Sequence, residues 1–109
     1  MTETPFCMVY VTARDRAEAE ALARRTVEKG LAACANVLGE IRSFYRWDGE
    51  IRNDSECAVI FKTRTEAFEA LKDEIVAAHS YACPCVVALP LIDGSEPYLA
   101  WLGEQTMPG

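Results

Sequence analysis

Three strand-like segments of this chain are apolar on both faces, and this limits the folds open to it more than any other feature. The first places Phe6, Met8 and Tyr10 on one face and Cys7, Val9 and Val11 on the other. The second sets Cys57, Val59 and Phe61 against Ala58 and Ile60, and the last sets Val87 and Leu89 against Val86 and Ala88. A sheet with one solvated face alternates apolar and polar residues, so both faces of these strands must be covered. Left bare, the second face would expose an apolar patch of several hundred Å² or more, which soluble monomers rarely carry. The pattern predicts a closed homo-oligomer.

The remaining elements fit around those strands. Asp15 followed by Glu18 is a capping-box-like helix start. Ala19, Leu22, Ala23, Thr26 and Val27 then mark one face, and Gly30 ends the helix. Arg16, Glu20, Arg24 and Glu28 form a charge ladder at four-residue spacing, the mark of a solvated helix face. Residues 33–47 read as a long strand interrupted near Gly39, and Asp48-Gly49 is a type I′ hairpin signal that returns the chain at Glu50. Thr63 or Thr65 is placed to cap a second helix whose inner face is Phe68, Leu71, Ile75 and Ala78. A buried strand over 85–91 and a short helix over 97–105 complete the chain. The order β-α-β-β-α-β plus a C-terminal helix predicts an α+β, ferredoxin-like sandwich with both main helices on one sheet face. With 109 residues and no linker or repeat, the chain reads as a single domain over 1–109.

Composition removes several function classes. The net charge is −6 and no basic run exceeds Arg24-Arg25, which speaks against nucleic acid as a partner. Residues 75–92 carry no Asp, Glu, Lys or Arg, but His79, Ser80, Tyr81, Pro84 and Pro90 would break a membrane span. The first residues have no export-signal pattern, so a cytoplasmic protein outside the membrane is expected. The five cysteines are then expected to be free, buried thiols.

A few residues have chemistry to offer. His79 is the only histidine, at the end of the second helix. It suits either a helix-terminal bond to backbone or a ligand in a cleft. Cys83-Pro84-Cys85 places two thiols two residues apart, close in sequence to that imidazole. They read either as small hydrophobes entering a strand or, with His79, as soft ligands suited to Cu(I) or Zn(II). Tyr45, Trp47 and Tyr81 are aromatic residues near turns. Lys62 lies in an apolar strand, where an ammonium needs a partner or solvent. No glycine-rich phosphate loop is present. Arg14 and Asn36 share no phosphate-binding loop, so acylphosphatase-type chemistry finds no apparatus.

These residues fall into an ordered set. Ala33-Cys34-Ala35-Asn36, Tyr45-Arg46-Trp47-Asp48-Gly49, Lys62-Thr63, His79-Ser80-Tyr81, Ala88-Leu89-Pro90 and Tyr98-Leu99-Ala100-Trp101 resemble, in order and spacing, the CutA divalent-cation-tolerance family. The resemblance implies a ferredoxin-like homotrimer similar to PII signalling proteins, with no enzymatic activity and a link to copper and other divalent cations. It also implies a cleft between subunits at Tyr45, Trp47, Glu56, Lys62, His79 and Tyr81, able to take a metal ion or small anion. Family members commonly read His-Pro-Tyr-Glu-x-Pro-Glu where this chain reads His79-Ser80-Tyr81-Ala82-Cys83-Pro84-Cys85. Some bind copper through a first-strand cysteine and a His-His pair, positions that match Val11 and Ala78 here. Copper in this chain, as Cu(I) or Cu(II), would therefore turn to His79, Cys83 and Cys85. The alternative function is a PII-like module that binds a small metabolite or anion and a protein partner.

Overall fold

The computed structural model describes residues 4–106. Strand β1 (Phe6–Ala13) runs into α1 (Arg16–Glu28), whose cap is Asp15: its carboxylate accepts the Glu18 N–H at 2.9 Å. The ladder on α1 forms two rungs, Arg16–Glu20 and Arg24–Glu28, each at 3.8 Å and exposed. Of the expected inner face, Thr26 is buried and bonds the Leu22 carbonyl at 3.0 Å, whereas Val27 is exposed at the rim of that stripe.

Strands β2 (Cys34–Trp47) and β3 (Glu50–Arg64) form one long antiparallel hairpin. Asp48 and Gly49 both have positive φ, +51° and +77°, as a type I′ turn requires. The interruption at Gly39 is a β-bulge between Val37 and Gly39, with Gly39 at φ +106°.

Two expectations change at the second helix. A short 3-10 turn over Thr65–Ala67 leads into α2 (Phe68–Ala78), and no threonine side chain caps either. Thr63 donates to the Leu31 carbonyl at 2.6 Å and Thr65 to that of Thr4 at 2.5 Å, so both hydroxyls tie loops down. Leu71 and Ile75 are buried as expected, whereas Ala78 is exposed and His79 occupies the next inward position.

Strand β4 (Val86–Pro90) pairs with β1, giving the antiparallel order β2-β3-β1-β4, and α3 (Glu96–Gln105) follows. The expected buried strand is an edge strand within one chain, with Val87 49% and Leu89 44% exposed. Among the described residues it pairs with β1 alone, and its far edge and outer side chains find no cover there.

The core lies between the sheet and α1–α2: Cys7, Val9, Val11, Leu22, Val59, Phe61, Leu71 and Ile75 pack there. Opposite it, α3 covers one end of the second face. Gly103 of α3 lies against the Phe6 ring, and the Arg64 guanidinium donates to its carbonyl at 2.6 and 3.1 Å. Beyond α3 that face carries Met8, Tyr10, Ile60, Val87 and Leu89, all partly or well exposed. The molecule is elongated, 44 × 29 × 22 Å.

Candidate functional site

Pairing outward from the Asp48-Gly49 turn determines which side chains share a face. Trp47 opposes Glu50, Tyr45 opposes Arg52, Ser43 opposes Asp54 and Ile41 opposes Glu56. Alternation along β3 carries that face on through Ala58 to Ile60, which opposes Tyr10 of β1. The distal hairpin is thus continuous with the sheet face that α1 and α2 leave open. The turn between α2 and β4 crosses the end of this face with Tyr81, Cys83 and Cys85.

A cleft of about 550 Å³ lies between them. Its hairpin wall is Ser43, Tyr45, Trp47, Arg52 and Glu56; Tyr10 and Thr12 form its floor, and Tyr81, Cys83 and Cys85 its far wall. Tyr81 donates its hydroxyl to Glu56 Oε2 at 2.8 Å and joins the two walls. Burial, with that bond behind it, pushes the Tyr81 phenol well up. Tyr45 donates to Asp54, and this bond raises the Tyr45 phenol too. Both hydroxyls therefore keep their protons and spend them on carboxylates. Partial desolvation, then the nearby Glu56 charge, raises the Cys85 thiol.

His79 is fully buried and does not line this cleft. Its Nδ1 accepts the Tyr81 backbone N–H at 3.1 Å, so Nε2 bears the proton and donates to the Thr12 carbonyl at 2.8 Å. The ring also stacks, tilted, against Tyr81 with centroids 4.7 Å apart. Both ring nitrogens are engaged, and the backbone-bonded alternative describes this histidine. Below it, Glu18 accepts N–H bonds from Arg14 and Ser80, each at 2.8 Å. Burial opposes ionisation of Glu18, but these bonds outweigh it and hold the carboxyl below its usual range. His79 thus fixes the Ser80–Tyr81 turn and, through it, the position of the Tyr81 ring.

Of the residues expected in one cleft, the chain brings together Tyr45, Trp47, Glu56 and Tyr81. His79 lies behind them. Lys62 sits six residues beyond Glu56 on β3, roughly 20 Å away at strand rise. There it donates to the Tyr98 hydroxyl at 3.4 Å, beside Cys34, its cross-strand neighbour. Its partner is α3, an element whose contact with β3 no local pattern announces.

The soft-ligand trio is not assembled within one chain. Among the described residues no three His, Cys, Asp or Glu side chains group closely enough to hold a metal ion. Cys83 and Cys85 are exposed in the cleft, against the expectation of buried thiols, which holds for Cys7 and Cys57; Cys34 is intermediate. Tyr10, Thr12, Ser43, Arg52 and Ala82, which line the cleft, and Asp54, which accepts the Tyr45 hydroxyl, were missed as site residues. Ser43, Arg52 and Asp54 could have been found by counting outward from the Asp48-Gly49 turn, whereas Tyr10 and Thr12 need the β1–β3 register.

Three comparisons bear on this arrangement. The family model described as CutA1 divalent ion tolerance protein matches residues 7–105. A divalent-cation tolerance protein CutA of Archaeoglobus fulgidus is 45% identical over 96 residues, 88% of this chain and 93% of that protein. A solved structure from that organism, described as the periplasmic divalent cation tolerance protein CutA, superposes with a TM-score of 0.89. It is 43% identical and the match covers 92% of this chain and 97% of that one. The divalent cation tolerance protein of Thermus thermophilus gives a TM-score of 0.92 at 40% identity, over 94% and 99% of the two chains.

Proposed function

The chain belongs to the CutA1 divalent ion tolerance family, and from that premise we propose a non-enzymatic binding protein for metal homeostasis. It works as a cytoplasmic homotrimer whose ligand sites are clefts shared between subunits. One observation carries the reading: the 550 Å³ cleft opens on the same sheet face that remains apolar and uncovered beyond α3. A neighbouring copy laid on Tyr10, Ile60, Val87 and Leu89 would bury that patch and wall the cleft from the other side. Free thiols in all five cysteines suit a reducing compartment. Among the described residues no helix is long and apolar enough to cross a membrane.

Within this reading the metal is soft. Cys83 and Cys85 are the exposed sulfur ligands of the cleft, and thiolates favour Cu(I) over hard divalent ions. Binding must displace the Cys85 proton, which partial desolvation and the Glu56 charge favour, so uptake strengthens as pH rises. Native mass spectrometry of the reduced protein with Cu(I), Cu(II) and Zn(II) tests this. A trimer retaining Cu(I) in the native chain, and losing it with Cys83→Ser and Cys85→Ser together, is the expected result. A trimer that stays metal-free removes the metal function, and a monomer removes the shared cleft.

A second reading, a PII-like module for a small metabolite, is favoured by the cleft itself. Its volume falls in the roughly 300–1,000 Å³ range of small-molecule sites, and aromatic rings line much of it.

A further inference from the structure

Where α3 meets the sheet, three reactive side chains come together that the cleft does not use. Cys34 opens β2 directly opposite Lys62 of β3, so their side chains share a face, with Cβ atoms about 4.5–5.5 Å apart. Tyr98 of α3 reaches both. Its hydroxyl oxygen lies 3.4 Å from Cys34 Sγ and 3.4 Å from Lys62 Nζ. Sharing that one contact atom, the sulfur and the nitrogen are no more than about 7 Å apart. The phenol is held in place: its ring packs on Trp101 with centroids 5.6 Å apart, and Lys62 Nζ sits 5.5 Å from its centre.

The other thiols lack this company. Cys7 and Cys57 are buried in the core, and burial raises the Cys7 thiol. Cys83 and Cys85 are exposed in the cleft, where the charge acting on Cys85 is the Glu56 carboxylate. Among the described residues no other cysteine shares a hydrogen-bond partner with a lysine. Cys34 is half-buried, open enough for a small oxidant. Lys62 then supplies a nucleophile able to capture the oxidised sulfur before a second oxidation.

We propose that Cys34 and Lys62 form a reversible covalent cross-link, a sulfenamide, when the chain meets hydrogen peroxide. In the first step the Cys34 sulfur attacks one peroxide oxygen. An S–O bond forms, the O–O bond breaks, and the departing hydroxide takes the thiol proton and leaves as water. Cys34 is now a sulfenic acid, oxidised by two electrons. In the second step the Lys62 ammonium gives a proton to the Tyr98 oxygen, and Tyr98 passes its own proton to the sulfenic hydroxyl. The freed amine attacks sulfur: an N–S bond forms, the S–O bond breaks, and a second water leaves. The new nitrogen sheds its extra proton to solvent. The link joins β2 to β3 and removes one positive charge, and it needs neither the cleft thiols nor a metal.

The test treats the reduced whole protein with hydrogen peroxide in the presence of a metal chelator, then maps tryptic peptides by mass spectrometry without reductant. The expected product is a joined peptide holding Cys34 and Lys62, about 2 Da lighter than the sum of its parts, uncut after Lys62 and separated by dithiothreitol. Lys62→Arg is expected to abolish joining and leave Cys34 as a sulfenic acid that dimedone traps. Tyr98→Phe is expected to slow joining at least about tenfold while the sulfenic acid still forms. An unchanged joining rate in Tyr98→Phe overturns the relay through the phenol. If native Cys34 ends unmodified, as a sulfinic acid or in a disulfide, with trypsin still cutting after Lys62, the cross-link is overturned.

Discussion

Glu18 is the residue on which most of the site's rigidity converges. Its carboxylate joins the start of α1 to the turn after α2, accepting the Arg14 and Ser80 N–H groups while lying 4.0 Å from His79 Nδ1. Its pKa is lower in the fold than in an unfolded chain. The stability it adds is therefore present above the unfolded carboxyl value of about 4.3 and lost as pH falls through the folded one. Chemical denaturation at a series of pH values should show the native midpoint falling below about pH 4.3, with Glu18→Gln less stable at pH 7 and flatter toward acid. A native profile as flat as that of the variant would remove Glu18 from this role. At this scale the sequence revealed the cap but not the purpose. Asp15 and Glu18 are legible as a helix start, yet nothing local says that Glu18 also holds Ser80, 62 positions on. His79 was legible only as one of two alternatives, since the Thr12 carbonyl it bonds is 67 residues away.

Among the elements, the β2–β3 hairpin does most to shape the cleft. Its register depends on a turn whose two residues both lie at positive φ, and Gly49 at +77° is the one that tolerates this without strain. A Cβ on Gly49 would meet nothing within 4 Å, so Gly49→Ala tests backbone conformation alone. It should lower stability by about 1 kcal/mol, read as a shift in thermal midpoint, and blunt any ligand-dependent Trp47 signal. An unchanged midpoint would mean that the turn does not hold the register. The hairpin itself was readable because Asp-Gly between alternating residues is a strong local signal. The second helix start was not, since Thr63 and Thr65 are equally good caps in isolation and are drawn off by the Leu31 and Thr4 carbonyls. The fate of Lys62 was hidden likewise, because its contact is with α3, 36 residues away.

For the whole molecule the governing fact is an apolar face larger than α3 can hide. Ile60 and Tyr10 at its centre and Val87 and Leu89 at its edge form a continuous patch across β3, β1 and β4. If a second copy covers it, thermal stability must depend on protein concentration, and Val87→Asp combined with Leu89→Asp should abolish that dependence. Sedimentation of the same variant should show a smaller species. A midpoint that ignores dilution in the native protein would mean that the face stays open. The strand pattern gave this prediction without any structure, because an alternation that never turns polar is visible residue by residue. Which end α3 would shield was not visible, for that needs the Arg64 guanidinium on the Gly103 carbonyl.

The two walls of the cleft also differ in how freely they can drift. Glu56, Arg52 and Tyr45 stand on a ladder in which moving one residue by one place would turn every neighbour to the opposite face. Cys83-Pro84-Cys85 lies in an irregular turn between α2 and β4, where exchange of a side chain disturbs no ladder. A lineage can thus place a thiol at 83 or 85 or remove one, retuning what the cleft accepts, while the opposite wall and the fold beneath it stay as they were.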